Sequence, residues 1–375
     1  MLNNSLHFIK KSVVNYQGFK TNRKLIVIES DDWGSIRMPS TQVFSKLKDR
    51  GIPVDKSPYC RFDSLESNTD LEYLFEILTK FKDINGNHPI ITANTVVGNP
   101  DFEKIKQSQF NKYFFESFYE TLARYPNRDK VVSYYKQGIK SKIFIPQFHG
   151  REHVNVEMWL DLLKSNKQFQ FAFEHGLWGL STDVFPNFNK SIQATLDSFN
   201  DNFLISSINS GLILFEELFG YKSKSFIANN FIWNSTLNSA LKANGIEFLQ
   251  GMKYQILPKN GYEKRKLVRH YLGKKNNLGQ FYLIRNCSFE PSLDNSGTNK
   301  TIQEIQNAFF WKKPAIISTH RINFIGDIVE SNRTKNLKDF ELLLKNILKM
   351  WPNVEFVSSN VLGEIIKLNK NDKIK

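Results

Sequence analysis

Two carboxylates stand side by side where an apolar run ends. In LIVIESDDWGS the aliphatic stretch Leu25 to Ile28 gives way to Glu29, Ser30, Asp31 and Asp32, before Trp33 and Gly34 turn the chain. Adjacent carboxylates at the end of a buried strand repel each other unless a positive charge sits there or one is protonated. An exposed turn would also accommodate them, since Asp and Gly are ordinary turn residues. Further along, HGREH sets His149 and His153 four residues apart, so at the start of a helix both imidazoles would share a face suited to one divalent metal. The plainer reading of that pair is a polar helix start. A third histidine, His320, ends the apolar run PAIISTH, where it reads equally as a core histidine.

Taken together these residues describe one kind of chemistry. Two imidazoles and one carboxylate make a three-ligand site with positions left open for water, the arrangement of catalytic zinc-type sites. Asp32 can hold the metal and be neutralised by it. Asp31 can then stay free to take a proton from the attacking water. His320, with a near-neutral reference pKa, can protonate a leaving amine. His and carboxylate ligands suit zinc, cobalt and other first-row ions without choosing among them.

The elements that must position these residues alternate. Buried-strand patterns at Leu25–Ile28, PIITANTVV, IFIPQFHG, KSFIANN, IEFLQG, QFYLIRNCSF, PAIISTH and VEFVSS are separated by helical ones. STQVFSKLKDRG reads as a helix capped by Ser40 or Thr41 and stopped at Gly51, and FNKYFFESFYETLARY reads as helical. One long helix is expected from NVEMWLDLL towards Gly176. Such alternation predicts a parallel sheet, closed as a barrel or open and doubly wound. In a barrel the C-terminal strand ends carry the chemistry, which is where Asp31, Asp32, His149, His153 and His320 all fall.

Composition bounds the rest. The 375 residues, 41% hydrophobic, can bury a large core, and the two cysteines can form no disulfide framework. No stretch has the length and apolarity of a membrane span or the pattern of a secretory signal. The expectation is a cytoplasmic protein. Leu2, Leu6, Ile9 and Val13 share a helical face near Lys10 and Lys11, so residues 1–20 offer either a peripheral contact with the inner membrane surface or a segment packed on its own domain. The net charge of +14 is spread along the chain, with a rise at KNGYEKRKLVRHYLGKK, and no nucleic-acid module accompanies it. No nucleic-acid partner is expected of a hydrolase here, and the alternative is a basic membrane-surface or nucleic-acid-binding protein whose histidine pair is incidental.

The motifs SDDWG, HGREH and IISTH, in this order, resemble those of the polysaccharide deacetylases of the NodB-homology type (carbohydrate esterase family 4). The resemblance implies an irregular (β/α)7-type barrel over residues 24–367, with insertions around 100–142 and 155–220, after an amphipathic segment 1–23 and before a frayed tail 368–375. It implies removal of N-acetyl groups from an amino-sugar glycan, or from an activated or lipid-linked sugar precursor. It makes Asp31 the base, His320 the acid, and Asp32, His149 and His153 the ligands of one divalent metal, zinc or another first-row ion. Trp33, Arg37, Asn230 and Trp233 are the expected substrate contacts, with Trp178 a further ring for stacking on a sugar. The family's Arg-x-Pro-Tyr motif is missing near SFIANNFIWN, and Trp33 stands where glycine is usual. The arginine that steadies the base would then come from Arg37, Arg151 or Arg321, with Arg37 favoured, or be absent. The missing motif also leaves open a non-catalytic barrel that binds a glycan.

Overall fold

A computed structural model describes residues 12–180, 192–260, 264–294 and 297–371. Nine strands form the main sheet: β1 (Lys24–Trp33), β2 (Ile91–Thr95), β3 (Phe144–Phe148), β4 (Ser225–Phe226), β5 (Phe248–Gly251), β6 (Phe281–Ile284), β7 (Cys287–Ser288), β8 (Ala315–His320) and β9 (Val354–Phe356). All pairings in it are parallel, in the order β6-β5-β4-β3-β2-β1-β8-β7, with β9 beside the start of β1. The two ends of this order, β6 and β7, are separated only by Arg285 and Asn286. The Arg285 N–H donates to Gly251 O on β5, and the Asn286 N–H donates to Ile316 O on β8. One continuous run, 281–288, therefore joins both edges and curls the sheet into a ring of seven strand positions.

The alternation along β1 sorts its side chains. Ile26 and Ile28 pack into a cluster with the helices Asn68–Thr79, Val131–Lys140 and Glu330–Met350. Leu25 and Val27 pack into a second cluster with the helices Asp201–Phe219 and Ser359–Asn371. Beyond them the same odd-numbered face presents Glu29 and then Asp31. The barrel interior is polar at this level. Ser225 Oγ donates to Gln147 Oε1 (2.9 Å), Gln250 Nε2 to Ser225 Oγ (2.8 Å), and Asn94 Nδ2 to both Gln250 Oε1 (2.9 Å) and Asp31 Oδ1 (2.7 Å). Buried polar side chains linked in this way are fixed by their partners.

Several expectations are corrected. The stretch expected as one helix over 110–125 is instead a two-stranded pairing of Gly98–Pro100 with Phe115–Ser117, followed by the short helix Phe118–Leu122. The helix expected towards Gly176 is two, Val156–Ser165 and Lys167–Glu174. Asn166 ends the first and caps the second by accepting from Gln168 and Phe169 N–H groups. By contrast, the regions expected as helical insertions, 100–142 and 155–220, are largely helical and pack on the core, with Val131, Tyr135, Leu204 and Phe215 all buried. The last helix runs to Asn371, past the expected edge at 367. Of the N-terminal segment, Asn15 exchanges hydrogen bonds with Asn307 and Asn286, and Lys313 Nζ donates to Gln17 O and Phe19 O, so residues 12–19 are tied to the barrel. Leu2, Leu6, Ile9, Lys10 and Lys11 lie outside the described residues. Among the described residues no helix is long and apolar enough to cross a membrane.

Candidate metal and acid-base site

In a regular strand Asp31 and Asp32 would point to opposite faces. Here the pairing of β1 with β2 slips between Ser30 and Trp33, and Asp32 takes a left-handed φ of 77°. That backbone costs a non-glycine residue roughly 1–3 kcal/mol, and it turns both carboxylates to the same open end of the barrel. Each is 3% exposed.

His149 and His153 reach this point by a different route from the expected helix. The helix begins only at Val156, and HGREH is a loop leaving β3. Gly150 has φ 112°, and a Cβ there would lie 2.9 Å from Glu152 O, so only glycine lets the loop bend this tightly. His149 Nδ1 donates to Ile227 O (3.0 Å), which leaves Nε2 facing Asp32 Oδ1 at 3.3 Å. His153 Nε2 lies 3.0 Å from the same oxygen, and Trp178 stacks on its ring. Burial, then the nearby Arg37, pushes the His153 imidazole down to about 4, which keeps it neutral, as ligation requires.

The donor set fits a divalent cation. Ligand atoms of Asp32, His149 and His153 lie within 4.8 Å of one another, the one such group among the described residues. Around it Glu29, Asp31, Asp32, Asp63, Glu66 and Glu290 are paired with Arg37, Arg285, Arg321 and His320.

The arginine expected to steady Asp31 is none of the three named from the sequence. Arg37 Nη2 bonds Asp32 Oδ2 (3.0 Å) instead, with its guanidinium over the rings of Tyr59 and Trp178. Arg151 pairs with Glu152, and Arg321 with Asp63 and Glu66. Asp31 is held by Arg285, whose Nη1 and Nη2 reach its two oxygens at 2.7 and 2.6 Å while Nε bonds Glu29 (2.6 Å). Burial raises the Asp31 carboxyl, but Arg285 outweighs it and the group is pulled down to about 2. A signal was present in the sequence: Arg285 is a lone charge inside the apolar strand pattern QFYLIRNCSF, and such a charge needs a buried partner.

His320 ends β8 in register with Asp31. Its Nδ1 bonds Glu290 Oε1 (2.7 Å), and its Nε2 lies 3.8 Å from Asp31 Oδ2. Burial opposes the charged ring, yet Glu290 and Asp31 together lift its pKa to about 10.

Asp31, Asp32, Arg37, His149, His153, Asn230 and His320 line one cavity of about 280 Å³, together with Tyr59, Gln193, Ala228 and Phe231. Asn230 and Phe231 both adopt left-handed φ (55° and 58°), which turns the chain after β4 towards the cavity. Trp33 and Trp233 do not reach it. Trp33 is fully buried against Phe144 with its indole N–H on Ser30 Oγ, and Trp233 packs in the core with its N–H on Asn238. Trp178 is likewise 1% exposed and occupied by His153 and Arg37.

Neither a family model nor a curated protein matches the chain. Solved structures do. One is named as a polysaccharide deacetylase, from Mycobacterium smegmatis, at 10% identity and TM-score 0.45, covering 94% of each chain. A 4-alpha-glucanotransferase from Thermococcus litoralis matches at 11% identity and TM-score 0.44, over 91% of this chain and 40% of its own. An allantoinase matches at 8% identity and TM-score 0.43, over 93% and 92%. Other matches named as polysaccharide deacetylases come from Pseudomonas aeruginosa and Bacillus cereus. None of these reaches a TM-score of 0.5, so the chemistry rests on the side chains themselves.

Proposed function

We propose that the protein is a metal-dependent hydrolase of a non-peptide carbon–nitrogen bond, removing the acetyl group from the nitrogen of an amino sugar. The observation that carries this reading is the convergence, in one small cavity, of the Asp32–His149–His153 donor set with an ionised Asp31 and a protonated His320. Bound to those three residues, a divalent ion, zinc or another first-row metal, would polarise the acetyl carbonyl and acidify the attacking water. Asp31 accepts the proton of that water, aimed by Arg285 and Asn94. His320 gives its Nε2 proton to the departing nitrogen, with Glu290 stabilising the imidazolium until then. The bond to nitrogen breaks, and a free amine and acetate leave. A cavity of about 280 Å³ is at the small end of ligand pockets and suits one acetylamino sugar unit rather than a wrapped polymer.

The test is acetate release from N-acetylglucosamine oligomers by protein loaded with zinc or cobalt. Asp31→Asn should keep the metal and the fold and lose turnover by about 100-fold or more. A fully metal-loaded protein inert on every acetylated amino sugar tried, yet binding one of them, would make it a glycan-binding barrel instead.

A further inference from the structure

Next to the catalytic cavity is a second, larger one of about 590 Å³, which shares Phe231 and His320 with it and is walled by Val13, Val14, Met252, Lys253 and Leu293. Its rim continues into an antiparallel ribbon, Tyr254–Ile256 paired with Leu267–Arg269. The register sets Tyr254 opposite Arg269 and Ile256 opposite Leu267, so these four share one face, while Gln255 points inward and is buried. The outward face is unusual for a soluble surface. Leu267 is 56% exposed, Tyr254 42%, and neighbouring Met252 41% and Val13 47%. Around these apolar side chains the sequence from 252 to 275 carries six lysines and two arginines against the single carboxylate Glu263. Arg265 is engaged by buried Asp197, whereas Lys264, Lys266, Arg269 and Lys275 are exposed.

We infer that this ribbon docks the protein on an anionic lipid bilayer. Basic side chains meet acidic headgroups, and exposed Tyr254, Leu267 and Met252 enter the interfacial layer, a combination of charge and apolar contact that neither a neutral membrane nor bulk solvent rewards. A duplex nucleic acid would answer the lysines but not the apolar side chains among them. Because Met252 and Lys253, which lead straight into the ribbon, wall the larger cavity, an amphiphilic substrate in the bilayer would reach His320 without leaving the surface. This last consequence rests on the proposed hydrolase reading; the docking does not.

Full-length protein should co-sediment with phosphatidylcholine vesicles containing about 30 mol% phosphatidylglycerol and stay in solution with phosphatidylcholine alone. Lys266→Ala and Arg269→Ala should each weaken that partitioning about fivefold, with added salt weakening it further. Leu267→Ser should weaken it with no change in charge. All three residues are exposed, and an unchanged melting temperature confirms the fold. Equal partitioning of the triple variant and the parent would overturn the inference. So would retention on random duplex DNA that the two charge variants lose and Leu267→Ser keeps. Vesicle binding is read without turnover, so it can fail or succeed separately from acetate release.

Discussion

Arg285 grips both oxygens of Asp31, at 2.7 and 2.6 Å, and does so from the two-residue gap that joins β6 to β7. The residue that closes the barrel is therefore also the one that holds the proposed base ionised. Its third nitrogen is spent on Glu29, one pleat below on the same face of β1.

Removing that grip should separate into two measurable effects. Arg285→Ala leaves Glu29 and Asp31 buried without the cation that pairs with both, which costs about 3–5 kcal/mol of stability by breaking a buried ion pair. Arg285→Lys retains a charge without the fork, so the protein should fold and bind metal but turn over about 10-fold or more slowly. Its acid limb should also move to higher pH. Burial already pushes Asp31 up, and Arg285 is the largest of the groups that pull it to about 2, ahead of His149 and His320, so a weaker partner lets the base protonate at higher pH. An unmoved acid limb in Arg285→Lys would show that Asp31 is not the group that limits turnover.

Arg37 makes the opposite prediction from the one its sequence position suggests. Being bonded to Asp32 rather than Asp31, it orients the carboxylate that faces both imidazoles. Arg37→Ala should weaken metal affinity about 10–100-fold, the usual cost of losing a group that orients a ligand. Competition with a chromophoric chelator measures this directly, and an affinity equal to that of the parent would release Arg37 from the role.

The metal set is tested by one ion per chain. His149→Ala and His153→Ala should each abolish stoichiometric zinc binding at equal protein concentration, measured by atomic emission after dialysis. Metal should raise the melting temperature of the parent and not of either variant, since an ion that binds only the folded state stabilises it by mass action.

How much of this site could be read from the sequence depended on what fixes each residue. Asp31, Asp32 and His320 follow apolar strands directly, and period-2 patterning locates such strand ends well. The His149–His153 spacing marked a real neighbourhood for the wrong local reason, a glycine-bent loop in place of a helical turn. Arg285 stood out as a lone charge in an apolar strand, but its partner did not, and Glu290 and Asn94 were out of reach of any local rule. Arg285, Glu290 and Asn94 lie 254, 259 and 63 residues from Asp31, and only the pairing of distant strands brings them to it. The three tryptophans expected to meet a sugar show the limit of composition: an aromatic next to a motif is more often core, and Trp33, Trp178 and Trp233 are all buried.

The His320–Glu290 pair gives the last prediction, through pH. In the metal-free protein the folded-state pKa of His320 is raised to about 10 from an unfolded value near 6.5. A raised basic group contributes stability that is fully present below pH ~6.5 and is lost as pH climbs through the folded value. Chelated protein should therefore lose stability steadily between pH ~6.5 and 10, and His320→Gln should flatten that slope. Glu290→Gln should flatten it in part, because it removes the leading cause of the upward shift and leaves Asp31 and Asp32. Metal should act in the same direction: two positive charges at Asp32 cancel part of the field that holds the imidazolium. That would bring its pKa towards the range where it can give its proton to a leaving nitrogen. Denaturant unfolding at stepped pH, with and without zinc, reads all three curves. If the slope above pH ~6.5 survives in His320→Gln, some other group titrates there, and the acid of the proposed reaction has been misassigned.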